Sequence, residues 1–273
     1  MDTITLWQLA ALAAASLLVG FSKTAVSGSN TISLAVFAAV LPARESTGVL
    51  LPVLIAGDIL AVLVYRRHAH WPTLLRLFPT VAAGVVAGTV FMMWADDSVM
   101  STSIGAILLL MTGVTLWRRR TEARADGSQD ARTAVPGAGA EPPAGATPAG
   151  PVRSGAKRFR ARSYGTLGGF TTMVANAGGP VMSLYLLSAG FCKLGFLGTS
   201  AWFFLIVNTA KVPFSVGLGL IDTRSLLLDA ALVLFVIPGA WLGRVCVGRI
   251  DQKLFERIVI GATVVGGLQL LLN

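Results

Sequence analysis

Apolar residues gather in blocks at about 4–20, 31–42, 47–65, 75–94 and 98–117, and again at about 164–175, 180–190, 196–219, 225–243 and 254–272. The longer blocks approach or reach the roughly 20 residues that carry a helix across a bilayer core. Blocks 31–42, 164–175 and 180–190 are too short to cross alone. Near the head of each set lies a polar, Gly-rich break. The first is Gly20-Phe-Ser-Lys-Thr-Ala-Val-Ser-Gly-Ser-Asn30, and the second is Asn176-Ala-Gly-Gly-Pro180. In hydrocarbon every backbone N–H and C=O must be satisfied inside the protein. An unwound turn at that depth is therefore tolerated only where it is buried in protein or lines a cavity. Two such breaks in corresponding places point to a transport site.

The two sets of blocks read as an internal repeat. Gly20-Phe21 matches Gly169-Phe170, Thr47 falls near Thr199, and Asp58 lines up with Asn208. Gly84 and Gly88 match Gly239 and Gly243, a Gly-x-x-x-Gly spacing that lets membrane helices approach closely. Between the sets runs 118–163, whose Pro/Ala/Gly core cannot bury enough surface to fold and reads as a disordered linker. The expected division is a first transmembrane repeat over 1–117, a basic cytoplasmic linker over 118–163, and a second repeat over 164–273.

Charge then orients the segments. With the linker in the cytoplasm and each break at the bend of a helix hairpin, Arg66, Arg67, Arg76, Lys193, Arg244, Arg249, Lys253 and Arg257 share the cytoplasmic side. Arg44, Arg224, Asp96 and Asp97 lie opposite. A single broken helix opening the second half would move Lys193 and the Arg244–Arg257 group outside, so the positive-inside rule favours hairpins. An odd number of elements per half makes the repeats inverted.

Composition agrees. Of the 273 residues 54% are hydrophobic and 13% charged, against about 25% charged in soluble domains. The net charge of +9 does not signal nucleic acid, because 10 of the 22 Lys and Arg lie between Arg118 and Arg162 and most others flank apolar blocks. No basic stretch precedes the first block, which reads as a retained membrane segment rather than a cleaved signal. Cys192 and Cys246 are isolated, and His68 and His70 lack the company that a metal site needs. No phosphate-binding loop or hydrolase motif occurs, so no enzyme and no cofactor is expected.

Three formal charges stand out inside the blocks: Lys23, Asp58 and Lys211. A charge at that depth costs roughly 2.5–3.5 kcal/mol on insertion scales and is a functional candidate by default. Lys23 sits in the first break, near the N–H groups opening the next half-helix at Asn30. In the second break, Gly178 and Gly179 permit close backbone approach and Pro180 suits a first helical turn. Helix N-termini carry partial positive charge and unused donors, so two of them with Lys23 would form an anion pocket. Asn208 and Lys211 lie one turn apart on a shared face and can both donate. The expected anion-facing set is Lys23, Ser27, Gly28, Asn30, Asn176, Gly178, Gly179, Thr199, Asn208 and Lys211. Asp58 either carries a coupling proton or neutralises a lysine. Trp202 and Trp241 either wall the pocket or face lipid.

Outside the linker the chain resembles the TauE/SafE sulfite-exporter family of bacterial membrane proteins. The carriers are Gly20-Phe-Ser-Lys-Thr-Ala-Val-Ser-Gly28, Leu51-Pro-Val-Leu-Ile-Ala-Gly-Asp58 and Tyr65-Arg-Arg-His-Ala-His-Trp71 in the first half. In the second half they are Gly169-Phe170, Ala177-Gly-Gly-Pro180, Tyr185-Leu-Leu, Gly198-Thr199, Asn208-Thr-Ala-Lys211 and Gly217-Leu-Gly-Leu-Ile-Asp222. The resemblance implies an uncoupled or ion-coupled carrier of small sulfur-containing or carboxylate anions in the bacterial inner membrane. Sulfite or organosulfonate export, or uptake of related anions, is the implied activity. This chain has Ser27-Gly28-Ser29-Asn30 where the family's first break is often richer in Gly, and its linker is unusually long. The expectation is an all-α polytopic membrane protein of two inverted repeats with about five helical elements each. It would export a small anion through the lipid bilayer; an anion channel and an uptake carrier are the rival readings.

Overall fold

The computed structural model describes residues 5–25, 30–107, 109–110, 113, 154–189, 191, 193–221 and 223–246. Among them there are helices and no strand. In the first half these are α1 (Leu6–Ala25), α2 (Thr31–Val40), α3 (Ala43–Tyr65), a 3-10 turn (Arg66–His68), α4 (Trp71–Trp94) and α5, helical over 97–107. The second half supplies α6 (Ser154–Ala175), α7 (Gly178–Ser188), α8 (Lys193–Gly217) and α9 (Thr223–Cys246). Four stretches, Leu6–Ala25, Ala43–His68, Trp71–Trp94 and Leu226–Cys246, are long and apolar enough to cross a membrane. The protein is a multi-pass helical membrane protein.

Local chemistry sets the element ends. Leu41 and Pro42 separate α2 from α3, and Pro72 falls in the first turn of α4, where its missing N–H is not needed. The chain after α8 turns through Gly219 at φ 69. There Leu220 N–H donates to the Ser215 carbonyl and Gly219 N–H to that of Val216, a Schellman stop. With 10 and 11 residues, α2 and α7 reach only about 15 Å, half a bilayer core.

Backbone-to-backbone packing explains the matched glycines. A Cβ at Gly20 would overlap the Val236 carbonyl, and one at Gly239 the Leu17 carbonyl. Gly169 stands in the same way against Val81, and Gly84 against Thr166. Gly243 meets Phe21 and Gly88 meets Phe170. The α1–α9 contact is thus repeated by α6–α4, position for position. Both pairs run parallel: Leu17, Gly20 and Phe21 of α1 meet Gly239, Val236 and Gly243 of α9, and Thr80 and Gly88 of α4 meet Gly165 and Met173 of α6. Between them α3 and α8 cross in opposite directions. Gly48 lies against Leu220, Asp58 against Asn208, and Gly198 against Tyr65 and His68.

Two boundaries and one matched position differ from the sequence expectation. Helix α1 continues through Gly20 to Ala25, because Gly20 is used for packing on α9 and not for unwinding. Helix α6 begins at Ser154, so 154–163 are helical where a disordered linker was expected. Gly48 and Gly198, not Thr47 and Thr199, occupy matching places beside the opposite helix. The rest of the linker, the block 254–272 and Arg249, Lys253 and Arg257 lie outside the described residues. Charged residues separate by end. The 3-10 turn with Arg66 and Arg67 adjoins the start of α8, while at the other end the Arg44 guanidinium donates to the Ala95 carbonyl at 2.9 Å and the Arg44 backbone N–H to the Asp97 carboxylate at 3.3 Å.

Candidate functional site

At the centre, side chains from four helices form one hydrogen-bonded chain. Lys23 of α1 pairs with Asp58 of α3 at 2.5 Å. The second Asp58 oxygen accepts from Asn208 Nδ2 of α8 at 2.6 Å. One turn on, Lys211 Nζ donates to the Thr172 carbonyl and to Asn176 Oδ1, both at 2.6 Å, with Asn208 Oδ1 at 3.5 Å. Asn176 Nδ2 then donates to the Thr47 carbonyl of α3 at 3.0 Å. Asp58 is 0% exposed and Lys211 1%. Lys23 also lies 4.5 Å from the Phe204 ring centroid, within cation–π range.

Asn176 makes the second break. Its φ of 52 reverses the chain at the end of α6, a conformation that Asn tolerates better than most side chains. The N–H of Ala177 reaches back to the Thr171 carbonyl, and α7 starts one residue later. A Cβ at Gly178 would collide with the Thr172 hydroxyl, so the close approach across this turn requires glycine.

Ser22, Lys23, Asn30, Leu54, Thr172, Asn176, Gly179, Phe204 and Asn208 enclose a cavity of about 20 Å³. That is room for about one water. Asn30 stands just before α2 with no side-chain cap, and its Oδ1 is buried in the wall without a partner. Gly179 lies in the first turn of α7, whose N–H groups are not used by the helix itself. Both half-helix starts therefore face the space that Lys23 enters. Four helices and two helix starts converge on a donor-rich set that includes two lysines and one aspartate.

Of the expected residues, the fold gathers Lys23, Asn30, Asn176, Gly179 and Asn208 on the cavity wall. Asp58, Lys211 and Gly178 stand directly behind it. Thr199 is not with them: its hydroxyl accepts from the His70 backbone N–H at 3.0 Å, at the junction of α4 and the 3-10 turn. Nine residues of α8 separate it from Asn208, about 13 Å. Ser27 and Gly28 lie outside the described residues. Trp241 is 66% exposed and Trp202 packs on Trp71 at 5.2 Å, so neither walls the cavity. One buried carboxylate was missed: Asp229 of α9, 2% exposed. It sits four residues into its apolar block, where a charge reads as part of the flank.

A multi-pass helical bundle with a buried, donor-rich polar centre at paired helix breaks defines the class as a membrane transporter. The chain belongs to the Sulfite exporter TauE/SafE family, whose profile matches residues 12–270. That family consists of transporters of sulfur anions such as sulfite, not enzymes. No curated protein and no solved structure matches the chain.

Proposed function

We propose that the protein is a secondary carrier that exports a small sulfur oxyanion, sulfite or an organosulfonate, through the central cavity. One observation carries this reading: Lys23 and the starts of α2 and α7 face a single small cavity. Lys23, Asn30, Asn176, Gly178, Gly179, Asn208 and Lys211 would bind the anion, and Ser27 and Gly28 of the first break are proposed to share in this. Asp58 would balance the charge or carry a coupling proton. Room for about one water supports an occluded carrier over an open channel. The antiparallel crossing of the matched helices α3 and α8 supports inverted repeats, the arrangement of many carriers. The basic end, with Arg66, Arg67 and the linker 118–163, would face the cytoplasm of a bacterial inner membrane. A negative-inside potential then favours export of the anion.

The test is radiolabelled sulfite flux in proteoliposomes, with and without a pH gradient. Saturable counterflow that collapses in Lys23→Ala is the expected result. Flux that does not saturate would favour a channel. Unaltered anion binding in Lys23→Ala would overturn the site.

A further inference from the structure

The two halves put the same polar position to different use. Asp58 and Asn208 occupy matching places in α3 and α8 and bond to each other at 2.6 Å. One half supplies an acid there, the other an amide. Each half also supplies one lysine to the cluster, the partly buried Lys23 and the buried Lys211. Lys211 has three oxygens for its ammonium protons, all of them neutral: the Thr172 carbonyl, Asn176 Oδ1 and Asn208 Oδ1. Only Lys23 has a carboxylate partner. With both lysines protonated and Asp58 ionised, the cluster would carry one uncompensated positive charge among the described residues. Buried charges are as a rule paired, so a cluster left at +1 lacks one negative charge.

From this asymmetry we infer that the Asp58–Asn208 pair sets the charge of the anion the site takes, and that it selects a monoanion over a dianion. The inference rests on the carrier reading above and adds to it the substrate's charge. Acid at both positions would bring the cluster to zero and remove its attraction for any anion. Amide at both would bring it to +2, the complement of a dianion. The natural pair gives +1. A monoanionic sulfonate or hydrogensulfite neutralises that, whereas a dianion of similar size leaves a net negative charge buried. One unit charge at contact distance, at an effective dielectric of about 20, is about 4 kcal/mol, which changes selectivity on the order of 1,000-fold.

The experiment uses two probes of fixed charge, methanesulfonate (−1) and sulfate (−2), on the full-length protein. Two readouts are taken: thermal stabilisation in detergent and counterflow in proteoliposomes. The wild type should prefer methanesulfonate in both. Asp58→Asn should raise the sulfate-to-methanesulfonate ratio by about tenfold or more, within the range of one unit charge. Asn208→Asp should lose the response to both anions. The exchange Asp58→Asn with Asn208→Asp keeps every group type and the +1 charge, and should restore the preference for methanesulfonate. A purely structural role for the pair predicts no change of ratio and no restoration. An unchanged ratio in Asp58→Asn, or a wild type that takes sulfate as readily as methanesulfonate, overturns the inference; so does a wild type that binds neither. If binding follows the charge series while no flux is seen, the charge assignment stands and the carrier reading falls.

Discussion

Removing Asp58 should be more damaging than removing Lys23, and the two losses should not add. Asp58 is fully buried and holds Lys23 at 2.5 Å and Asn208 at 2.6 Å. Asp58→Asn leaves Lys23 and Lys211 with no counter-charge. Breaking a buried pair from one side costs about 3–5 kcal/mol. The Phe204 ring and the 10% exposure of the Lys23 side chain put the loss near the lower end, about 3 kcal/mol. Lys23→Met leaves a carboxylate still served by Asn208, and the cluster falls from +1 to zero. Its loss is that of one charged hydrogen bond, about 2 kcal/mol. In the double variant only the Lys211 charge remains, and the amide that replaces the Asp58 carboxylate can still face Asn208. The double loss should be about 1–2 kcal/mol, so the coupling is about 3 kcal/mol. The assay is unfolding in mixed micelles by SDS titration, read by Trp fluorescence in buffer free of polyatomic anions. Single losses that add to within about 0.5 kcal/mol would refute a direct Lys23–Asp58 contact.

Further outcomes test the packing, the break and the topology. Gly84→Leu and Gly239→Leu should prevent stable folding, read as loss of monodisperse protein, because each side chain would enter the carbonyl of a facing helix; Gly217→Ala, with open space around it, should shift stability by under about 0.5 kcal/mol. Asn176→Gly keeps the left-handed turn and loses only the side-chain bonds, so it should remain about 1–2 kcal/mol more stable than Asn176→Ala in the same titration. Thr199→Val should lower stability by about 1 kcal/mol while leaving the KM for sulfite unchanged, since its hydroxyl serves the His70 N–H. In a background without native cysteines, Arg67→Cys and Asp97→Cys should react with an impermeant maleimide from opposite faces of the membrane.

The pattern of apolar blocks revealed the helices because the bilayer imposes a minimum length, and one residue class suffices to read it. The matched glycines were legible, since backbone contact tolerates little else: Gly20, Gly84, Gly169 and Gly239 all stand against carbonyls of facing helices. Aligning the halves even matched Asp58 with Asn208, which the fold joins directly. What misled was glycine's double use. Gly20 looks like the start of a break but is a packing position, so the helix runs five residues further. Thr199 was expected with Asn208 in the anion-facing set. Depth along α8 separates them, and depth is not written in residue type. Asp229 was hidden for another reason: it lies four residues into the block 225–243, where a charge reads as part of the flank. The bond from Lys211 to the Thr172 carbonyl was also illegible, because it uses a backbone atom that any residue would supply.

The same packing explains why the site lies where it does. Neither α1 nor α4 finds its close partner within its own half. Helix α1 pairs with α9, and α4 with α6, each through a backbone contact that only glycine permits. Each tight pair therefore contains one helix from each repeat, and the halves of the chain are not the halves of the bundle. Helices α3 and α8 bridge the pairs, and at their crossing the matched residues Asp58 and Asn208 meet. A position there is touched by its own counterpart, so symmetry alone would double any charge placed on it. Two acids side by side would repel, and two amides would leave both lysines without a counter-charge. An acid bonded to an amide avoids both, and this is the arrangement at Asp58 and Asn208. A site at the crossing can thus hold an odd net charge only by departing from the symmetry that built the fold.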